Sequence, residues 1–474
     1  MKVHANHFPL IVIVVCLPFI LWAVGGILPT FDDYTSLQSP WWVQIADPGY
    51  FFPDSVRRPF DALLGAIVGW KPVLFPTLNH VLIILGHTAS AGLVYALCQR
   101  LKLGTLAANV ATLFFFFSPA TLGATLACDG FNQTYAQLWG LLALWCYLKT
   151  SGRGLLWLLC VIMAVLSKEN GLAWAVVPPV IGYAFHLSSR REALHHIGYG
   201  LIVAAAYFII YGVIYFSGIL GIEYDEQYTD TTIISHLKDF LQLIAYTWIP
   251  VDYASIVYPP ARNWTIVAMT ALASLPFLIL LAARWRLLKT RSVLLLVICF
   301  LILTAPHLLT VVSIMHNYAA LSIAALIVAA LIEETKKRQF LIPAFGLFLA
   351  AALFTDVHHY QAARQSGLLG RQLAMQAITQ AQTPLERVFC ININNEQEPC
   401  YSNFYVRPVD AFAWGLSVRH YTGYTWKTAI SETTLPRYNQ GQIETLADSA
   451  LQAGNDAVWV VGHDKEKLTI ITPQ

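Results

Sequence analysis

Two adjacent carboxylates, Asp32 and Asp33, stand where the first apolar run gives way to an aromatic stretch: Phe31-Asp32-Asp33-Tyr34, then Trp41-Trp42, then Arg57-Arg58-Pro59-Phe60. Neighbouring carboxylates repel each other and lose hydration beside a bilayer, and both effects raise their proton affinity. Such a pair suits a general base that takes a proton from a hydroxyl. The same oxygens suit a hard cation or the cap of a helix start. Arg57 and Arg58 carry permanent forked donors that match phosphate oxygens, those of a ligand or of lipid headgroups. Cys128-Asp129-Gly130-Phe131-Asn132 offers a further carboxylate, Asp129, and an amide, Asn132, able to hydrogen-bond a sugar; capping of the next helix is the plainer use of both. Ser167-Lys168-Glu169-Asn170 places ionic groups at a span boundary, where they are costly unless paired or facing a cavity. Lys168 is a candidate phosphate ligand, and a tight turn in which it pairs with Glu169 is the alternative. Met315-His316-Asn317-Tyr318 opens a later apolar run, with His316 and Tyr318 placed to meet a phosphate or a sugar, or with His316 in an ordinary structural hydrogen bond.

The elements that must position these groups follow from composition. The chain has 474 residues, 57% hydrophobic and 12% charged, with a mean hydropathy of +0.57. Soluble domains are about a quarter charged. The apolar blocks are long enough to cross ~30 Å of hydrocarbon, so the chain reads as a polytopic α-helical membrane protein. Candidate spans cover residues 8–28, 76–98, 105–121, 131–148, 155–167, 171–187, 197–219, 264–283, 293–312, 316–332 and 340–355, about eleven in all. With a cytoplasmic N-terminus, the inner loops hold Lys2, Arg100, Lys102, Lys149, Arg153, Arg190, Arg191, Arg284, Arg286, Lys289, Arg291, Lys336, Lys337 and Arg338. The outer loops hold Arg57, Arg58, Lys71, Lys168, Lys238 and Arg262. That asymmetry obeys the positive-inside rule, sends all five motifs to the outer face and leaves the C-terminus outside.

Two outer loops, 29–75 and 220–263, each contain an amphipathic stripe suited to the interface: Phe60, Leu63, Leu64, Ile67 and Val68 in one, and Ile233, Leu237, Phe240, Leu241, Ile244 and Trp248 in the other. Past residue 356 polar residues dominate. Strands are predicted at 387–393, 456–462 and 467–472 and a helix at 441–452, which makes a small soluble α/β domain. The division is therefore a membrane domain, 1–355, and a C-terminal domain, 356–474. Cys390 and Cys400 in that tail are free to pair in an oxidising compartment or to remain thiols. The net charge of +2 and the lack of a basic run give no pointer to nucleic acid.

The motifs together resemble those of GT-C class glycosyltransferases, polytopic enzymes that use polyprenyl-phosphate-linked sugars, as the protein O-mannosyltransferases and the aminoarabinose transferase of lipid A do. The resemblance spans most of residues 1–332. Phe31-Asp32-Asp33-Tyr34 matches the acidic motif of the first outer loop, and Arg58-Pro59-Phe60 resembles an Arg-Pro-Leu element. Asn79-His80 with His87 resembles an Asn…His pattern, and Ser118-Pro119 through Asp129 a segment that begins His-Pro in relatives. Ser167-Lys168-Glu169 matches a Ser-Lys-Glu element, the most specific of the set. His316-Asn317-Tyr318 falls where relatives often have Arg-Tyr.

The resemblance implies that Asp32 or Asp33 is the catalytic base. It implies that Arg58 and Lys168 hold the donor phosphate; the residues themselves add Arg57 and His316 as candidates for the same role, and Asp129, Asn132, Glu169 and Tyr318 as candidates to face the acceptor or the sugar. A single displacement inverts the anomeric configuration. A monophosphate leaving group does not require a metal, the chain has no His/Cys ligand set of recognisable spacing, and no cofactor is expected. The expected setting is a bacterial inner membrane with a periplasmic site, a cell-surface glycan acceptor such as O-antigen of lipopolysaccharide, and a separate donor synthase and flippase. The alternative is a transporter, polymerase or ligase of lipid-linked glycans; a transporter is expected to show inverted repeats, and none is evident in the sequence.

Overall fold

Apolar blocks separated by Pro, Gly and charged turns fold here into a helical bundle followed by a sheet. The structure, a computed structural model, describes residues 7–30, 33–34, 76–127, 130–216, 233–251, 263–309, 314–333, 338–393, 409–423, 425–462 and 467–472. The bundle contains α1 (Phe8–Val24), α2 (Pro76–Arg100), α3 (Thr105–Phe116), α4 (Leu122–Thr125), α5 (Phe131–Thr150), α6 (Leu156–Ser167), α7 (Val177–Ala184) and α8 (Arg190–Phe216). It continues with α9 (Ile233–Trp248), α10 (Trp264–Ala282), α11 (Arg291–Thr304), α12 (Asn317–Glu333) and α13 (Arg338–Ala381). Among the described residues, five helices are long and apolar enough to cross a membrane, or six if the bent pair Thr105–Phe116 and Pro119–Thr125 is one span.

The bundle is built around α12. Its Ala, Leu and Ile residues leave no polar face, and nearly every position is buried. It packs against α11, α3, α5 and α2. Hydroxyls inside the bundle answer their own helix: Ser90 donates to the Gly86 carbonyl at 2.9 Å and Thr112 to that of Ala108 at 2.8 Å. Two predicted spans are not single straight helices. The 105–121 segment bends by 47° at Ser118-Pro119, because proline lacks the N–H that would continue the ladder. The 171–187 segment is a 3-10 stretch, Glu169–Ala175, followed by α7, which restarts with Pro178-Pro179 in its first turn.

Hydrogen bonds hold each end of the bundle together. At one end the Thr77 hydroxyl reaches the Gly25 carbonyl at 3.1 Å, His80 bonds the backbone of Thr125, and Thr355 bonds the Pro250 carbonyl at 3.0 Å. At the other, Arg100 donates to the Leu148 carbonyl at 2.9 Å, the Gly104 N–H to the Glu333 carboxylate, and Arg291 to the Tyr183 carbonyl. On α9, Ile244 and Trp248 pack on the core, whereas Leu237 and Leu241 of the predicted stripe remain exposed. The stripe at Phe60–Val68 lies outside the described residues.

The division set at 355–356 falls inside α13, a single helix of 44 residues, about 66 Å long. Its first half packs on α10 in the bundle. Its second half supplies Leu373, Ala374 and Ala377 to the core of the C-terminal unit. That unit carries β1 (Arg387–Ile393), α14 (Leu416–Tyr421), β2 (Ala429–Leu435), α15 (Gln440–Gln452), β3 (Ala457–Val461) and β4 (Thr469–Ile471). The strand order is β2-β1-β3-β4, with β1 parallel to β2 and β3 and β4 antiparallel to β3. Parallel neighbours require crossovers, which α14 and α15 provide. Cys390 is a free thiol buried in this core; Cys400 lies outside the described residues.

Candidate functional site

The end of the bundle nearer the C-terminal unit gathers several polar groups. α6 stops at Ser167 because Lys168 turns to an extended conformation, φ −159° and ψ 145°. The turn that follows is tight: the Gly171 N–H bonds the Lys168 carbonyl at 2.8 Å, and a Cβ on Gly171 would lie 2.4 Å from backbone atoms of Ala164. Only glycine lets the chain return this closely to α6. The turn presents Lys168, Glu169 and Asn170 together.

Asn170 Nδ2 donates to Gln133 Oε1 and to His307 Nε2, each at 3.2 Å. The second bond places the His307 proton on Nδ1. His307 stacks on His316 with ring centroids 4.5 Å apart and planes 17° apart. Lys168 and Glu169 lie within electrostatic reach of His307. Lys168 Nζ donates to the Met315 thioether at 3.8 Å, a weak acceptor for an ammonium that carries three donors. The turn Ile314–His316 rests on α4 and on the 3-10 turn Pro119–Thr121. Two regions far apart in the chain, 167–170 and 305–316, thus come together, and Asn170 joins them to Gln133 at the start of α5.

Buried amides surround this meeting point. Asn132, Gln133 and Gln137 on α5 and Asn317 at the start of α12 are all at most 5% exposed. Asn132 Oδ1, Gln133 Nε2, both polar atoms of Gln137 and Asn317 Nδ2 have no protein hydrogen-bond partner. Each such atom costs about 1–3 kcal/mol when left without a partner. Of these, the sequence reading had selected only Asn132 as a site residue. The signal was present: Gln133 and Gln137 lie one turn apart on one face of an otherwise apolar helix. His307 gave no signal, because its role depends on the return of α11 to the same end.

The other expected site residues are placed as follows. Lys168, Glu169 and His316 belong to the cluster just described, and Asn132 precedes Gln133 in the first turn of α5. Tyr318, the second residue of α12, is fully buried, and its hydroxyl meets His87 Nδ1 at 2.8 Å. His87 Nε2 faces the Phe116 carbonyl at 3.0 Å; a carbonyl only accepts, so Nε2 carries the proton and Tyr318 donates to Nδ1. The expected sugar contact is therefore a tie between α2, α3 and α12. Asp33 is 2% exposed and accepts from the Thr30 N–H at 2.8 Å, while its own N–H returns to the Thr30 carbonyl at 2.8 Å. Asp32, Arg57, Arg58 and Asp129 lie outside the described residues. Among the described residues no group of three or more His, Cys, Asp or Glu converges as a metal site.

The C-terminal unit fastens the loop that carries Asp33. Tyr34 is fully buried against Ala413, Leu416 and Tyr421, with its hydroxyl 3.3 Å from that of Tyr421 and its ring 5.8 Å from that of His420. A Cβ on Gly367 of α13 would meet the Leu28 carbonyl at 2.7 Å, so the same loop also lies directly on the helix. Burial holds the His420 imidazole below its ordinary value of 6.5, and burial raises the Tyr421 phenol against the opposing effects of Tyr34 and Arg371. A His420 released from this packing takes a proton near pH 6.5, and the packed one does so only at lower pH. Packing is therefore at full strength above that pH and weakens as pH falls below it. The melting temperature of the full-length chain is expected to drop across this window, and His420→Gln to flatten the drop; parallel profiles would contradict the assignment.

No protein-family model and no curated protein sequence matches the chain. The structure is similar to the crystal structure of ArnT from Cupriavidus metallidurans in the apo state, with a TM-score of 0.52 and 11% sequence identity over 95% of this chain and 92% of that one. What the two chains share is the fold.

Proposed function

We propose, from this fold and the resemblance of the motifs to those of GT-C class glycosyltransferases, that the chain is a membrane glycosyltransferase that moves a sugar from a polyprenyl-phosphate donor to an acceptor hydroxyl. The observation that carries the reading is the set of buried amide atoms without protein partners, on Asn132, Gln133, Gln137 and Asn317, beside Lys168 and the His307–His316 stack. Apolar cores replace such groups unless something polar occupies the space, and sugar hydroxyls both donate to and accept from amides. The five helices long and apolar enough to cross a membrane, the bent pair Thr105–Phe116 and Pro119–Thr125, and the shorter apolar helices Phe8–Val24, Leu156–Ser167 and Asn317–Glu333 support a multi-pass chain, for which we keep about eleven crossings. The Lys and Arg asymmetry supports a periplasmic site in a bacterial inner membrane, with residues 356–474 on the same side.

In the proposed reaction, Asp32 or Asp33 takes the proton of the acceptor hydroxyl as its oxygen attacks the anomeric carbon. The bond from that carbon to the phosphate oxygen breaks, and configuration inverts. The departing lipid monophosphate gains charge beside Lys168, with Arg57 and Arg58 as further phosphate ligands. His316, stacked on His307, is a further phosphate ligand in this reading, and Glu169, Asp129 and Asn132 orient the sugar or acceptor. A cell-surface glycan such as O-antigen is the proposed acceptor, with a separate synthase and flippase delivering the donor.

The test is Gln137→Leu, a change of similar volume at the side chain whose two polar atoms both lack a protein partner. The half-saturating donor concentration is expected to rise about tenfold, with little change in kcat and an equal or higher melting temperature. Unaltered donor saturation with lost stability would mean that this amide only holds the bundle together.

A further inference from the structure

The end of the bundle opposite the polar cluster holds a second polar cleft. α5 separates the two, and its 20 residues span about 30 Å. The cleft encloses about 480 Å³ between the turn after α5, the end of α7, the start of α8 and the start of α11. Arg153, Arg190 and Arg291 line it from three separate elements, with Glu192 the one acid among the lining residues.

Three features make it an anion site rather than a set of solvated charges. First, Glu192 is already engaged: its carboxylate accepts from the Ser189 N–H at 2.8 Å, and its own N–H donates to the Ser189 hydroxyl at 3.2 Å. This reciprocal cap fixes the first turn of α8 and directs the carboxylate to the backbone. Second, Arg291 is held rigidly. Its guanidinium lies over the Tyr183 ring at 3.6 Å and donates to the Tyr183 carbonyl, yet its Nε is buried with no acceptor. A guanidinium held in place at the cleft wall needs little ordering to meet a phosphate oxygen. Third, large apolar side chains flank the cleft along the chain. Leu155 is 74% exposed and Leu194 57%. Trp285, 55% exposed, precedes α11 and lies under the cations of Arg286 and Lys289. Basic pockets between helices bordered by apolar and aromatic side chains fit a headgroup with its acyl chains alongside.

We propose that this cleft binds the phosphate of an anionic phospholipid headgroup. The proposal does not depend on the sugar-transfer reading, since no residue of the cleft belongs to the polar cluster at the other end.

The experiment is native mass spectrometry of the full-length protein released from detergent, with phosphatidylglycerol or phosphatidylcholine added and inorganic phosphate as competitor. Wild type is expected to retain one phosphatidylglycerol and to shed phosphatidylcholine. Arg153→Gln with Arg190→Gln, both exposed and outside the hydrogen bonds that hold the helices, is expected to weaken retention about 30-fold. An unchanged melting temperature confirms that this variant is folded. Displacement of the lipid by millimolar inorganic phosphate would support phosphate recognition and identify the free anion as an alternative occupant. Equal retention of the two lipids, or equal retention by variant and wild type, would overturn the proposal.

Discussion

Replacing Asp33 by asparagine is expected to lower sugar transfer about 10²–10⁴-fold, the range for loss of a positioned general base. Asparagine keeps an oxygen for the Thr30 N–H, so the loop that Tyr34 pins to the C-terminal unit should stay in place. The loss should therefore fall on kcat, with donor saturation little changed. Asp32→Asn, measured in parallel, tells the two carboxylates apart. The base is the one whose loss removes the acid limb of the kcat–pH profile, because an amide cannot take the acceptor's proton. Full activity in both variants would remove the carboxylate pair from the mechanism.

Lys168→Met is expected to reduce kcat about 10²–10³-fold, as does removal of a single group that stabilises charge developing in a transition state. Methionine matches the aliphatic stem and sits naturally beside Met315, so packing is retained. Lys168 is half-buried, so its replacement should cost little stability. That combination separates a phosphate ligand from a structural lysine. A structural lysine would give the opposite pattern, with a lower melting temperature and residual activity close to that of wild type.

Much of the helical architecture was legible because hydrocarbon imposes a simple requirement: every span must be apolar and satisfy its own backbone. α2, α10 and α11 follow the predicted segments closely for that reason. What the sequence hid was how helices break. The bend at Ser118-Pro119 and the 3-10 stretch after Lys168 sit inside runs that hydropathy reads as continuous. In the C-terminal unit β1 and β3 were visible as apolar runs, since strands covered on both faces are hydrophobic throughout. β2 was missed because it is an edge strand whose Ser431, Glu432, Thr433 and Thr434 carry no apolar signal. The continuity of α13 was hidden as well: its composition changes near residue 356 where its surroundings change, while the helix runs on.

The site was legible in part, and for a different reason. An ionic residue in apolar sequence stands out because it is costly, which is why Lys168 was a candidate, and His316 was one because it opens an apolar run. Their neighbours Asn170 and Asn317 lay inside the same motifs, but amides are common enough to pass as caps. Gln133, Gln137 and His307 matter through contacts between segments more than 100 residues apart in part, such as the 137-residue separation of Asn170 from His307, and no local pattern encodes that meeting. Tyr318 shows the converse. Its motif placed it beside His316, yet one residue into α12 the chain rotates it away from the cluster to His87.

The most direct measurement is transfer of radiolabelled sugar from a polyprenyl-phosphate donor by the purified full-length protein in detergent, with the matching nucleotide sugar as the control donor. The account predicts transfer from the lipid-linked donor alone, with the product anomer inverted, and its collapse in Lys168→Met. Transfer from the nucleotide sugar, or no transfer from a panel of lipid-linked donors by a folded protein that still binds them, would contradict it.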